Sequence, residues 1–126
     1  MGVELVYVCK QNEMITEIRI YKLKQSSAET FNKVFIEQSL PMMKRWKINV
    51  VDYGFSVIDK ESFYLIRNYE NIAQRKESQD AFYGSAEWIN GPEKDIISCI
   101  DTYNTTVIDN TTFLSKLNDE KRTTNG

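Results

Sequence analysis

The 126-residue sequence contains no histidine, and this absence removes several kinds of chemistry at once. Histidine is the usual general base near neutral pH and the commonest nitrogen ligand of protein-bound metals. Its absence excludes imidazole-dependent catalysis, zinc and non-haem iron sites built with histidine, and a haem held by a proximal histidine of this chain. Any catalysis must therefore rest on carboxylate, Tyr, Arg, Lys or Cys side chains, or on a borrowed cofactor.

Glycine and cysteine are also scarce. The five glycines form no glycine-rich phosphate loop, and the acidic residues do not show the spacing of metal ligands. We therefore expect no nucleotide, no metal and no other cofactor. The two cysteines, Cys9 and Cys99, lie far apart and outside any CxxC motif, which is typical of reduced thiols in a cytosolic protein.

Long apolar runs and an excess of one charge are missing as well. No stretch approaches the roughly 20 apolar residues that span a bilayer, and the first residues lack the pattern of a signal peptide. Sixteen basic residues against eighteen acidic ones give a net charge of −2, so the basic surface of a general nucleic-acid binder is absent. We expect one soluble cytoplasmic domain without a nucleic-acid or membrane partner.

Hydrophobic periodicity predicts alternating strands and helices along most of the chain. The predicted elements are a strand at 14–23, a helix at 27–47 that Pro41 interrupts, hairpin strands at 50–58 and 62–69, a helix at 71–82, a helical stretch ending near Ile100, and a strand at 102–108. This order predicts an α+β fold, the ferredoxin-like split βαβ sandwich, with two main helices on one face of a four-stranded antiparallel sheet. We place a strand-like extension at 1–13, the domain at 14–110, and a polar tail at 111–126.

The uncovered face of this predicted sheet is the candidate functional surface. If Ile18, Ile20 and Ile66 point toward the helices, the alternating residues of the two central strands point to the bare face. Those residues are Glu17, Arg19, Tyr21, Phe63, Leu65, Arg67 and Tyr69. Because a monomer rarely leaves such an apolar expanse in water, we expect a homodimer whose two sheets close into a barrel.

Two interpretations of the arginines on that face remain open. An unpaired buried charge is costly, so an arginine could pair with Glu17 and fix the strand register and the dimer seam. Alternatively, Arg19 and Arg67 converge on a ligand carboxylate, phosphate or enolate between the sheets, with Tyr21 and Tyr69 as aromatic walls and hydroxyl donors.

Arg75 and Trp88 are secondary candidates for the same site. Arg75 lies near the start of a predicted helix, where it could form a salt bridge to Glu70 or Asp80 or contact a ligand at the mouth of the barrel. Trp88 is more typical of a core or seam residue than of a stacking platform.

Three sequence blocks resemble the NIPSNAP family of small domains. They are EIRIY at 17–21, YENIAQR at 69–75, and AEW at 86–88 followed by GP at 91–92, and the similarity extends over about residues 14–109. Where many relatives carry Trp two positions before the tyrosine of the third strand, this chain has Arg67. The resemblance implies a dimeric α/β barrel, the fold shared with antibiotic-biosynthesis monooxygenases, EthD-like proteins and IsdG-type haem oxygenases.

The resemblance leaves three functions open, because most NIPSNAP proteins have no established enzymatic activity. The first is binding of a small anionic or aromatic organic molecule between the sheets. The second is cofactor-independent oxygenation or proton transfer, in which Arg19 and Arg67 stabilise an anion and Tyr21 or Tyr69 relays a proton. The third is a non-catalytic interaction or scaffold role, as some eukaryotic members of the family suggest.

Overall fold

The structure is a computed structural model that describes residues 14–110. The predicted extension at 1–13, the predicted tail at 111–126 and Cys9 lie outside these described residues. In chain order the elements are β1 (Ile15–Leu23), α1 (Ala28–Val34), a π turn (Phe35–Ser39), α2 (Leu40–Arg45), β2 (Asn49–Phe55), β3 (Ser62–Tyr69), α3 (Ile72–Tyr83), α4 (Ala86–Ile89), α5 (Glu93–Cys99) and β4 (Ile100–Asp109).

The four strands form one antiparallel sheet in the order β2-β3-β1-β4, so β1 and β3 are its central pair. This arrangement confirms the predicted α+β fold and its ferredoxin-like topology. In the register of the central pair, Glu17 lies directly opposite Arg67, and Arg19 lies opposite Leu65. Cross-strand neighbours of this kind have Cβ atoms about 5 Å apart, so the fold alone brings an acid and a base together.

The first helical region, which consists of α1, the π turn and α2, departs from regular α-helix before Pro41 rather than at it. In the π turn, the backbone N–H of Leu40 donates to the carbonyl of Phe35, five residues earlier. Pro41 has no N–H to give to the carbonyl four residues before it, and its ring crowds that carbonyl. The wider turn lets the helical path continue through the proline, which lies in the first turn of α2.

The prediction of which sheet face meets the helices was wrong. Tyr21, Phe63 and Leu65 are buried beneath the helices, whereas Ile20 is 41% exposed on the opposite face. Period-two alternation tells which residues share a face, but it does not tell which face is covered. Both faces carry apolar residues here, and the aromatic one packs against Phe31 and Phe35 of the first helical region.

Candidate functional site

The centre of the candidate site is the carboxylate of Glu17, which is completely buried. Its Oε1 accepts a hydrogen bond from Nε of Arg67 at 3.0 Å and a second one from Nη2 of the same guanidinium. Its Oε2 accepts from Nε of Arg75 and from Nε2 of Gln79, both at 2.6 Å. Burial takes both carboxylate oxygens of Glu17 out of contact with water, and each oxygen instead accepts two hydrogen bonds from charged or polar donors.

Two elements position these donors. Arg67 stands opposite Glu17 on the neighbouring strand, so sheet register places that pair. Arg75 and Gln79 lie one turn apart on α3, and residues at i and i+4 share one face of a helix. The N-cap Asn71 fixes the start of α3, since its Oδ1 accepts from the backbone N–H of Gln74 at 2.8 Å.

The electrostatic balance keeps Glu17 ionised. Burial alone would raise the pKa of Glu17, but the charges of Arg67 and Arg19, together with hydrogen bonds from Arg67 and Gln79, outweigh burial and lower the pKa to about 2. Three guanidiniums, those of Arg19, Arg67 and Arg75, face this one carboxylate within 4 Å. The cluster thus carries more positive than negative charge.

Arg19 connects this cluster to open space. Its Nη2 is 3.5 Å from Glu17 Oε2, and its Nε donates to Oγ1 of Thr105 at 3.1 Å. The guanidinium also lies 5.4 Å from the ring centre of Tyr103, within cation–π range. With a side chain that is 12% exposed, Arg19 is the more accessible of the two strand arginines, because Arg67 is fully buried.

Two tyrosine hydroxyls complete the polar network. The hydroxyl oxygen of Tyr69 accepts from Nε2 of Gln79 at 3.0 Å, and that of Tyr83 accepts from Nη1 of Arg67 at 2.9 Å. Burial raises the pKa of Tyr69 and of Tyr21, so both phenols stay protonated at neutral pH. Sequence reasoning missed Tyr83 and Gln79, although the spacing 75, 79, 83 on one helix face is the signal that points to them.

A cavity of about 390 Å³ lies beside this cluster, between the sheet and the helices. Arg19, Ser39, Gln79 and Glu93 contribute the polar side chains of its wall. Aromatic side chains supply much of the remainder, namely Tyr21, Phe31, Phe35, Tyr83, Trp88 and Tyr103. The volume falls in the usual range of small-molecule sites, and apolar walls with a few polar groups are typical of them.

The structure divides the residues selected from sequence into two groups. Arg19, Tyr21 and Trp88 line the cavity, whereas Glu17, Arg67, Tyr69 and Arg75 form the hydrogen-bonded network behind it. The predicted location between two sheets is wrong for all of them, because this sheet face is covered by helices of the same chain. The Glu17–Arg67 pair is therefore internal to one chain rather than part of a dimer seam.

The predicted partner of Arg75 also needs correction. Arg75 pairs with Glu17 rather than with Glu70 or Asp80. Asp80 instead pairs with Lys76, one turn away on the exposed side of α3. The guanidinium of Arg75 points toward the sheet, where it donates a hydrogen bond to the buried carboxylate of Glu17. Because these two residues are 58 positions apart, their contact leaves no local sequence signal.

Within residues 14–110, no group of acidic or cysteine side chains is arranged so that it could hold a metal ion. Cys99 is a free, buried thiol in the hydrophobic core. No helix in the same part of the chain combines the length and the apolar character needed to cross a membrane.

The sequence profile described as NIPSNAP matches residues 16–114 of the chain. No curated protein matches this chain in sequence. Among solved structures, it is similar to an uncharacterised NIPSNAP-like domain protein from Burkholderia xenovorans, with a TM-score of 0.70, 19% identity, and coverage of 77% of this chain and 84% of the other. A NIPSNAP family protein of unknown function from Agrobacterium tumefaciens gives a TM-score of 0.70 at 21% identity, with coverage of 77% and 87%.

The same fold also appears in a protein named as a candidate antibiotic biosynthesis monooxygenase from Nitrosomonas europaea. That match has a TM-score of 0.58 and 13% identity, and it covers 79% of this chain and 91% of the other. At such low identity, these structural likenesses establish the fold alone.

Proposed function

The chain belongs to the NIPSNAP family, and from that premise we propose that it forms a homodimer in which each subunit binds a small anionic, aromatic molecule. The binding site is the cavity beneath the helices, and the open sheet face is the dimer contact. The proposed ligand site lies inside each subunit, whereas the sequence predicted a site between the two sheets of a dimer.

The observation that carries the proposal is the position of Arg19 in the cavity wall. Its guanidinium belongs to a cluster with three arginines and one carboxylate, so a bound anion offsets excess positive charge. Glu93 in the same wall repels an anion, which favours an orientation with the anionic group at Arg19. The aromatic walls then contact an apolar ligand body.

Tyr83 supplies a second donor at this end of the cavity. Its oxygen already accepts a hydrogen bond from Arg67, so its own O–H proton is available to another acceptor. Because Tyr83 also lines the cavity, a ligand oxygen held by Arg19 has a hydroxyl donor in the same wall. Such a pairing of guanidinium and phenol is suited to a carboxylate or an enolate.

The homodimer rests on the opposite face of the sheet. That face carries Ile18, Ile20, Tyr64 and Ile66, which line a shallow groove with Ile58 of the β2–β3 hairpin. Ile58 is 93% exposed, although it adjoins the other apolar residues. A second copy offers the same apolar strip about a two-fold axis, so each face covers the other.

Titration with 2-naphthoate, followed by its intrinsic fluorescence, tests the ligand site. We expect wild-type protein to bind this aromatic carboxylate and Arg19→Gln to bind it roughly 10- to 100-fold more weakly, as for loss of a charged hydrogen bond. Arg45→Gln is the matched control, because Arg45 is a surface arginine that pairs with Glu87 away from the cavity. Equal affinity of Arg19→Gln and wild type would refute the site, and so would absence of wild-type binding.

A further inference from the structure

One side of the cavity is a row of residues from the first helical region. Phe31, Phe35, Ser39 and Met43 all line it, at regular intervals of four positions. In a straight α-helix with 3.6 residues per turn, each such step turns about 40° past a full circle, so the row would rotate away from the cavity. The π turn at Phe35–Ser39 has more residues per turn and reduces this drift.

Ser39 is the anomaly in this row. The residue is 1% exposed, and its Oγ is the sole buried side-chain polar atom without a hydrogen-bond partner within residues 14–110. A buried hydroxyl that bonds nothing is destabilising relative to alanine. Single π turns inside α-helices are frequent at functional sites, and this one ends on the unpartnered residue.

We infer that Ser39 is a ligand-binding residue. Its hydroxyl accepts a hydrogen bond from a second polar group of the bound molecule or donates one to it. The hydroxyl can rotate among its staggered positions without breaking a protein hydrogen bond, since it makes none. This inference rests on the proposed cavity function and narrows its ligand class. Arg19 lies on the sheet side of the cavity and Ser39 on the helix side. The ligand is therefore an aromatic acid whose acidic group lies at Arg19 and whose hydroxyl or carbonyl substituent lies at the opposite wall.

A pair of matched ligands tests this assignment. In 6-hydroxy-2-naphthoate the hydroxyl and the carboxylate lie at opposite ends of the ring system, and 2-naphthoate lacks the hydroxyl. We expect wild-type protein to bind the hydroxylated compound about 10-fold more tightly, the gain expected of one hydrogen bond. Ser39→Ala should lose this preference while its affinity for 2-naphthoate stays within about 2-fold of wild type.

Thermal unfolding of the ligand-free protein gives a second readout. Ser39→Ala should raise the melting temperature by roughly 2–5 °C, because it removes an unsatisfied polar group. Ser98→Ala is the control, since it makes the same change in a helix at an exposed hydroxyl that bonds the carbonyl of Asp95. The control accounts for the helix preference of alanine, so we expect a smaller shift from it.

The outcomes separate this inference from the proposed function. If 2-naphthoate binds and Arg19→Gln weakens it, but the wild type shows no preference for the hydroxylated compound, the role of Ser39 is refuted and the cavity function stands. The same holds if Ser39→Ala retains the preference or unfolds at a lower temperature than wild type. If neither naphthoate binds the wild type, both claims fall together.

Discussion

The two faces of the central strands β1 and β3 differ in which residues they bury. One face buries charged side chains, and the other leaves an apolar side chain exposed. Beneath the helices, Glu17 and Arg67 are fully buried, while on the open face Ile20 is 41% exposed. The buried charges are each other's partners, and Glu17 accepts a further hydrogen bond from Arg75 of α3. Within residues 14–110, by contrast, no helix covers the side of the sheet on which Ile20 lies. The burial of Glu17 and Arg67 therefore depends on their hydrogen-bond partners, and their hydropathy alone does not predict it.

The largest expected effect comes from removing the charge at the centre of the buried face. Glu17→Gln leaves the guanidinium of Arg67 buried without its counter-ion, and we expect a loss of roughly 3–5 kcal/mol in the free energy of unfolding. Urea denaturation followed by circular dichroism measures this loss. Asp80→Asn is the matched control on α3, where an exposed ion pair is worth less than about 0.5 kcal/mol. A Glu17→Gln variant as stable as the control would show that the buried pair contributes little.

Acid should weaken the buried face selectively. The pKa of Glu17 is lowered from its ordinary value of 4.5 to about 2 in the folded chain. A lowered folded-state pKa stabilises the fold above the unfolded value, and this contribution is lost as the pH falls from about 4.5 toward 2. We expect the stability difference between wild type and Glu17→Gln to shrink by roughly 2 kcal/mol between pH 7 and pH 3. Urea titrations at pH 7 and pH 3 measure it, and a constant difference would contradict the assignment.

The smallest effect on the stability of a single chain is expected on the open face. Ile20→Lys places a charge where Ile20 is already 41% exposed, so we expect the folded subunit to lose less than about 1 kcal/mol. The same change puts two charges into the proposed contact and should convert the dimer to a monomer in light scattering at micromolar concentration. Ile72→Lys, at an exposed isoleucine of α3, is the control that should remain dimeric. A monomeric wild type would disprove the dimer.

The sequence predicts the fold well because the fold depends on local patterns. The bounds of β3, predicted at 62–69, agree with Ser62–Tyr69, and the order of strands and helices is confirmed. These elements follow from alternation and helical spacing, which extend over a few residues each. The π turn was not predicted, because Pro41 signals an irregularity nearby without specifying that it falls one turn earlier.

The candidate site was predicted only in part, for a physical reason. Alternation placed Glu17, Arg19 and Arg67 on one face, and the structure places them on one face. Which face the helices cover depends on how the whole aromatic core packs, so the choice of side was wrong. Gln79 bonds Arg19 and Glu17 across 60 and 62 positions, so the helix face that it shares with Arg75 points to the site only once Arg75 is known to belong to it.

The sheet is a single layer of backbone that separates the cavity from the open face. Arg19 faces the cavity and its neighbour Ile20 faces the open side, so a single peptide unit of β1 separates the proposed ligand from the proposed partner subunit. Each subunit then holds its own complete cavity, and ligand exchange does not require the dimer to open. Any communication between the two cavities has to pass through the backbone of the central strands, where a change of twist moves both sides together.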